Sequence, residues 1–372
     1  MLKPFFISSA VFAVIVLALY MNDRPSLTEP AVTPQASNAT TTPEIPKQTV
    51  PIQNPKAEIK TAGHSVEVMA WIYPGSPACG AVQELKDGRK IDVLKPEYFM
   101  LGEEGELLLL TEKDGCNGYS AGNVATLKKF SKEQYATISS SYAVSMDKFL
   151  TEALNGNDSI DRLVSFVVDN KMTGIEIDFE DFGGWSAESY ARYKQFVSVL
   201  GKALHGKGKK LMIDGPATSN QEEENWFVWR YADFENLPVD RIVVMIYDYQ
   251  YDQGVGEPIS PLTWIQSTIT WTLKRFPHKD RLTVGIPSYG YRGTVGTPKF
   301  ALLTFDQIRR EPGFSTAERD PVSFEMTWRN GNNVYFYQDK QSIDKKIATA
   351  KSFGISSVSI WHLGGNPWFS QD

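Results

Sequence analysis

Eight short runs rich in β-branched and aromatic residues recur along this chain, most of them separated by stretches with helical hydrophobic spacing. The runs are VEVMAWIY from Val66, LLLLT from Leu107, YATISS from Tyr135, GIEIDFE from Gly174, KLMIDG from Lys210, RIVVMIYD from Arg241, RLTVGIP from Arg281 and SSVSIW from Ser356. Helical stretches such as DSIDRLVSFVVDNK, SAESYARYKQFVSVLGKALHG, PLTWIQSTITWTLKRF and SIDKKIATAKSF lie between them. Strands alternating with helices build a parallel sheet whose crossovers cover it, and eight such units predict a closed (β/α)8 TIM barrel, an α/β fold. Between the seventh and eighth runs, about 291–340, the segment is too long for one crossover. It holds a helix-like TFDQIRR and two β-like runs, SFEMTWRN and NVYFYQD, joined at Gly331-Asn332. That pattern predicts a small α+β insertion on the barrel rim.

Upstream, residues 22–63 are rich in Pro, Thr, Ala and Gln with no hydrophobic period, which predicts a disordered linker. At about 3.1 Å per residue, an extended form of it would reach roughly 100 Å. Residues 1–21 combine Lys3 with an uncharged apolar stretch from Pro4 to Met21. About 18 apolar residues are enough to span a bilayer as a helix. Leu19, Tyr20 and Met21 are all large where signal cleavage needs small residues, so an uncleaved membrane anchor is preferred to a removed signal. The barrel, 64–372, is then expected outside the cytoplasm, or secreted if the anchor is cleaved.

The formal charge of -6 and the absence of a long basic block leave no footprint for nucleic acid. His64, His205, His278 and His362 form no ligand motif, so no metal or other cofactor is expected. Cys79 and Cys116 are an even pair, compatible with a disulfide in an oxidising compartment or with two thiols. Gly201 to Gly208, GKALHGKG, has part of a phosphate-loop spacing but ends in Gly and follows a helix, so it reads as a helix terminus.

The chemistry concentrates in GIEIDFE. Side chains alternate along a strand, so Glu176, Asp178 and Glu180 share one face while Ile175, Ile177 and Phe179 share the other. With the apolar set under the helices, the acids line the barrel axis, Glu180 nearest the C-terminal rim where barrel enzymes hold their sites. Stacked like charges raise one another's pKa, which suits the outermost carboxyl to general acid work. The bland alternative is a water-facing edge strand or a polar core layer paired with Arg and Lys.

These residues resemble the fourth-strand motif of family 18 glycoside hydrolases, Asp-x-x-Asp-x-Asp-x-Glu. Thr173, Glu176, Asp178 and Glu180 match it by spacing; the last two agree, while Thr and Glu stand at the first two positions. VMIYDY from Val244, VGIPSYGY from Val284 and SIWHLGG from Ser359 are similar to the family's sixth, seventh and eighth strands. IDVLKPEYF from Ile91 and the stretch from Tyr247 resemble its branch of spore-cortex-lytic N-acetylglucosaminidases. The resemblance implies retaining hydrolysis assisted by the substrate's own acetamido group, with Glu180 as acid and base, Asp178 on the acetamido N–H and Tyr247 on its oxygen. It further implies Glu176 and Asp248 as polar contacts and Trp361 as the floor under the sugar. Among other aromatics at strand ends, Trp71 and Tyr249 are the preferred sugar contacts. The expected substrate is a glycan containing β-linked N-acetylglucosamine (GlcNAc), peptidoglycan or another envelope polymer before chitin, and the barrel is expected to be monomeric. Two alternatives stay open: a glycan-binding protein without activity, and a conventional glycosidase with Asp248 as nucleophile.

Overall fold

The computed structural model describes residues 66–369, apart from 77 and 87–90. The expected anchor, 1–21, and linker, 22–63, lie outside the described residues. Among the described residues no helix is long and apolar enough to cross a membrane.

Eight parallel strands form the barrel: β1 (Glu67–Ile72), β2 (Val93–Leu101), β3 (Glu133–Ser140), β4 (Gly174–Phe179), β5 (Lys210–Pro216), β6 (Arg241–Met245), β7 (Leu282–Pro287) and β8 (Ser357–Trp361). Each pairs with the next in chain order, and β1 pairs with both β8 and β2, so the sheet closes on itself. Closure removes the free edges that an open sheet would expose.

One expected strand is corrected. Leu107–Leu109 is not a barrel strand; it folds back antiparallel on β2, with Met100 opposite Leu108. The true second strand reads VLKPEYFML. Lys95 and Glu97 occupy alternate positions in it, with Pro96 between them, so charges interrupt the apolar period by which a strand is recognised.

The two faces of β4 separate as the alternation requires. Ile175, Ile177 and Phe179 enter the main core beneath the helices, where the Phe179 ring lies 5.9 Å from Phe149 and 6.5 Å from Phe196. The helix Ala187–His205 supplies Phe196. Its first turn is capped by Ser186, whose side chain accepts from Ser189 N, and it buries Tyr193, Phe196, Val197, Leu200 and Leu204 at helical spacing. Each such side chain contributes about 1.5–3 kcal/mol on burial. Inside the barrel, Met69, Val93, Tyr135, Met212 and Val243 form an apolar plug at the N-terminal end. Two residues further along their strands come Lys95, Thr137 and Asp214; in register Glu176 pairs with Thr137 on one side and with Met212, just below Asp214, on the other. Polar side chains therefore begin directly above the plug.

The rim insertion takes the expected place between β7 and β8 and is mainly a sheet. Its five antiparallel strands run in the order Phe300–Leu303, Gly290–Thr294, Asn333–Tyr337, Met326–Asn330 and Glu318–Arg319. The helix within TFDQIRR spans Phe305–Ile308 and opens with a capping box between Thr304 and Gln307. Trp328 stacks on Tyr335 across two of its strands at 4.1 Å. Cys79 and Cys116 are joined in a disulfide, S–S 2.02 Å, which ties the segment after β1 to the one before β3.

Candidate active site

Glu176 is wholly buried and held from two other strands. Lys95 on β2 forms an ion pair with its Oε1, Thr137 on β3 donates to its Oε2 at 2.7 Å, and Asp214 on β5 acts on it through charge. Asp178 follows two residues on. Its Oδ1 is buried without a hydrogen-bond partner, and its carboxyl is held well above the usual range by burial, then by Glu180, Glu176 and Glu97. Asp214 is raised likewise, by burial first and then by Glu176.

Glu180 is the first residue beyond β4. Its backbone N–H donates to Ser140 O at 2.8 Å, and its carbonyl accepts from Trp185 Nε1 at 2.8 Å, so the turn that presents it is anchored on both sides. Burial, followed by the charges of Asp248, Asp214, Glu97 and Asp181, pushes its carboxyl up to about 8. A group so shifted keeps its proton at neutral pH and is placed to give it up.

Across the barrel, Tyr247 and Asp248 follow the end of β6. Asp248 adopts the left-handed region, φ 69°, at the turn into the helix Tyr249–Gln253. Tyr289 donates its hydroxyl to Asp248 Oδ1; burial outweighs that bond and raises the Asp248 carboxyl to about 7. The Tyr247 ring fits because residue 285 on β7 is Gly: a Cβ there would stand 2.9 Å from Tyr247 Cε1 and 2.9 Å from Val244 O. Trp361 at the end of β8 lies between two rings, Tyr247 at 6.1 Å and Tyr73 at 6.4 Å, both near-parallel to it.

A cleft of about 510 Å³ opens at this rim, lined by Glu180, Tyr247, Asp248, Phe227, Tyr251 and Phe300 among others. The structure thus gathers Glu180, Tyr247 and Asp248 around one space, with Asp178 and then Glu176 in succession beneath Glu180. Trp361 flanks the group through Tyr247. Two expected sugar contacts lie away from this cleft. Trp71 is buried inside the barrel with Lys95 Nζ 5.4 Å from its ring centre, and Tyr249 packs on Trp264 at 5.0 Å; neither lines the cleft. From that loop it is Tyr251 that lines the cleft.

The sequence pattern did not point to Lys95, Glu97 or Asp214, and it marked Tyr289 only as one of the aromatics at strand ends, not as the partner of Asp248. Glu97 accepts from Ser139 Oγ at 2.5 Å, is raised to about 7 by burial, and acts on both Asp178 and Glu180. The signal for three of these was available: Lys95, Glu97 and Asp214 are charged residues at alternate positions of apolar strands, as in GIEIDFE.

A closed parallel barrel with carboxyls climbing one strand to a cleft at the C-terminal rim is the construction of a barrel glycoside hydrolase. Residues 115–366 match the Glycosyl hydrolases family 18, and the chain belongs to that family. It is 25% identical to the uncharacterized glycosylase YvbX of Bacillus subtilis, over 55% of this chain and 61% of that one. It is 24% identical to the cortical fragment-lytic enzyme of the same organism, over 55% and 50%. The matched region thus spans between half and three-fifths of the length of these relatives. Among solved structures, a chitinase from Chromobacterium violaceum aligns with TM-score 0.66 at 18% identity, over 81% of this chain and 95% of that one. The Bacillus cereus spore cortex-lytic enzyme SleL aligns with TM-score 0.67 at 17%, over 84% and 77%. At these identities the structural likeness is one of fold.

Proposed function

We propose that this barrel hydrolyses a polysaccharide containing β-linked GlcNAc, with retention of configuration, using the substrate's own acetamido group as nucleophile. The observation that carries the reading is Glu180, a carboxyl that keeps its proton near neutral pH at the mouth of the cleft that also holds Tyr247. Glu180 gives that proton to the glycosidic oxygen as the bond to the anomeric carbon breaks. The acetamido oxygen bonds to that carbon, making an oxazolinium ion. Asp178 accepts from the acetamido N–H and balances the positive charge, and Tyr247 donates to the acetamido oxygen. Water then attacks the anomeric carbon, returning its proton to Glu180 and opening the ring. Asp248 and Trp361 bound the sugar, Asp248 as a polar contact and Trp361 as an apolar floor, and Glu176 acts from beneath.

For the substrate we favour peptidoglycan or another envelope glycan. The names of the cortical fragment-lytic and spore cortex-lytic relatives support that choice, and residues 1–21, read as an anchor, would hold the barrel outside the cytoplasm beside such a polymer. The chitinase fold neighbour favours chitin as the second reading. Purified chain incubated with peptidoglycan, and separately with chitin oligosaccharides, beside a Glu180→Gln control, decides between them by mass spectrometry of the products. Glu180-dependent release from one polymer assigns it; binding without cleavage of either would make the protein a glycan-binding one.

A further inference from the structure

A lysine side chain with no exposure to solvent is uncommon, and Lys95 lies inside the barrel beneath the carboxyls of the cleft. Removing a charge from water costs several kcal/mol unless a partner and hydrogen bonds compensate it. The compensation here is Glu176, equally buried, with one oxygen on Lys95 and the other accepting from Thr137. Glu176 therefore cannot turn toward Asp178 without leaving Lys95 unpaired in the barrel interior.

The groups around Asp178 show what this arrangement does. Glu176 lies below it and Glu180 above it on the same side of the chain, and Glu97 approaches from β2. Asp214 stands on β5, and Tyr247 and Asp248 follow β6. β3 contributes only the uncharged Thr137 and Ser139, and β1 the Trp71 ring beside Lys95. Of the charges that act most strongly on Asp178, Glu180, Glu176 and Glu97 oppose the carboxylate and Lys95 favours it. It also opposes the carboxylates acting on Asp214. Glu at 176 is one methylene longer than the Asp of the motif it resembles, and that extra reach takes its carboxylate to the ammonium.

We infer that Lys95 is a positioning residue for the reaction: paired with Glu176, it forms an ion pair of no net charge under Asp178, and this favours Asp178 as the carboxylate that balances the positive charge developing on the sugar. The inference rests on the proposed reaction. Glu176 stays with Lys95 and Thr137, so the Asp178 carboxyl, whose Oδ1 has no hydrogen-bond partner, is the one left to meet the sugar. Lys95 touches no substrate; it acts only through the two carboxyls.

The test is a charge cycle of Lys95→Met, Glu176→Gln and the double variant in the full chain, each followed by kcat/KM against pH on GlcNAc oligosaccharides. Lys95→Met is expected to lower kcat at neutral pH by about tenfold or more with KM nearly unchanged, and to move the acid limb of the profile upward by about one pH unit. The double variant removes both charges together and is expected to bring the limb back toward the wild-type position. A folded Lys95→Met with the wild-type profile, or a double variant whose limb stays with the single one, would overturn the inference. Carbon-13 carboxyl titration of Asp178 supplies a readout that does not depend on turnover. If wild type cleaves none of the oligosaccharides, the proposed reaction fails while the Asp178 titration still decides the role of Lys95. Should Lys95→Met fail to fold, the double variant against Glu176→Gln carries the same comparison.

Discussion

Glu325, between two strands of the rim insertion, meets Lys346 of the helix Lys340–Ser352 at 3.2 Å, and both side chains are wholly buried. The same carboxylate accepts from Ile259 N at 2.8 Å and Ser260 N at 2.7 Å, in the loop that follows β6. Ile259 O in turn accepts from Tyr249 N at 3.0 Å. One carboxylate thus ties together the insertion, the last barrel helix and the loop that carries Asp248 and Tyr251. Glu325→Ala leaves Lys346 as an uncompensated buried cation and is expected to cost about 3–5 kcal/mol. Denaturant unfolding checks the cost. A rise in KM larger than the fall in kcat checks that the cleft wall has loosened.

The raised Glu180 carboxyl links stability to pH. Its ordinary value is 4.5 and its folded value about 8, so between those limits the folded state binds more protons than the unfolded state, and stability falls as pH rises. The contribution is fully present below the unfolded value and is lost through the folded one, at about 1.4 kcal/mol for each pH unit crossed. Glu180→Gln cannot ionise. It is expected to be inactive yet more stable than wild type at pH 8, the difference shrinking toward pH 5. Melting temperatures of both chains across that range test the sign; equal curves would mean that the carboxyl is not shifted.

In wild type the same proton sets the alkaline limb of activity. Glu180 must be protonated to act as an acid, so kcat/KM should decline as pH rises through about 8. Asp248, raised to about 7, titrates nearby, so the decline belongs to the coupled carboxyls together. Tyr289→Phe removes a hydrogen bond that favours the Asp248 carboxylate and should move its titration upward.

Cys79 and Cys116 lie 37 residues apart in sequence, and their bond closes a loop that contains β2. Chain-entropy arguments give such a loop about 4 kcal/mol. Cys79→Ser with Cys116→Ser is expected to lower the urea midpoint accordingly. Reductant should reproduce the shift in wild type and have no effect on the double variant.

Gly285→Ala puts a methyl group against the Tyr247 ring and the Val244 carbonyl, each at 2.9 Å. The ring must move, because the carbonyl belongs to the barrel wall. Loss of kcat by about tenfold to a hundredfold is expected, with unfolding changed by only about 1–3 kcal/mol. Kinetics with the GlcNAc oligosaccharides and a thermal melt, run side by side, separate the two effects.

Much of this protein was legible because a strand repeats every two residues. That period alone put Glu176, Asp178 and Glu180 on one face of GIEIDFE, and βα alternation around it was enough for the barrel and its rim insertion. The same logic failed at β2, where Lys95 and Glu97 face inward and break the apolar pattern, so the neighbouring Leu107–Leu109 was read as the strand. What periodicity leaves undecided is which side chains from different strands come level. That depends on how the barrel closes, and closure sets Lys95 against Glu176 across 81 positions of sequence. It also buries Trp71 and draws the cleft wall from Phe227, Tyr251 and Phe300, on three separate connections. Local chemistry decides which face a carboxyl takes. Its charge state is decided by neighbours and burial, and those exist only once the sheet has closed.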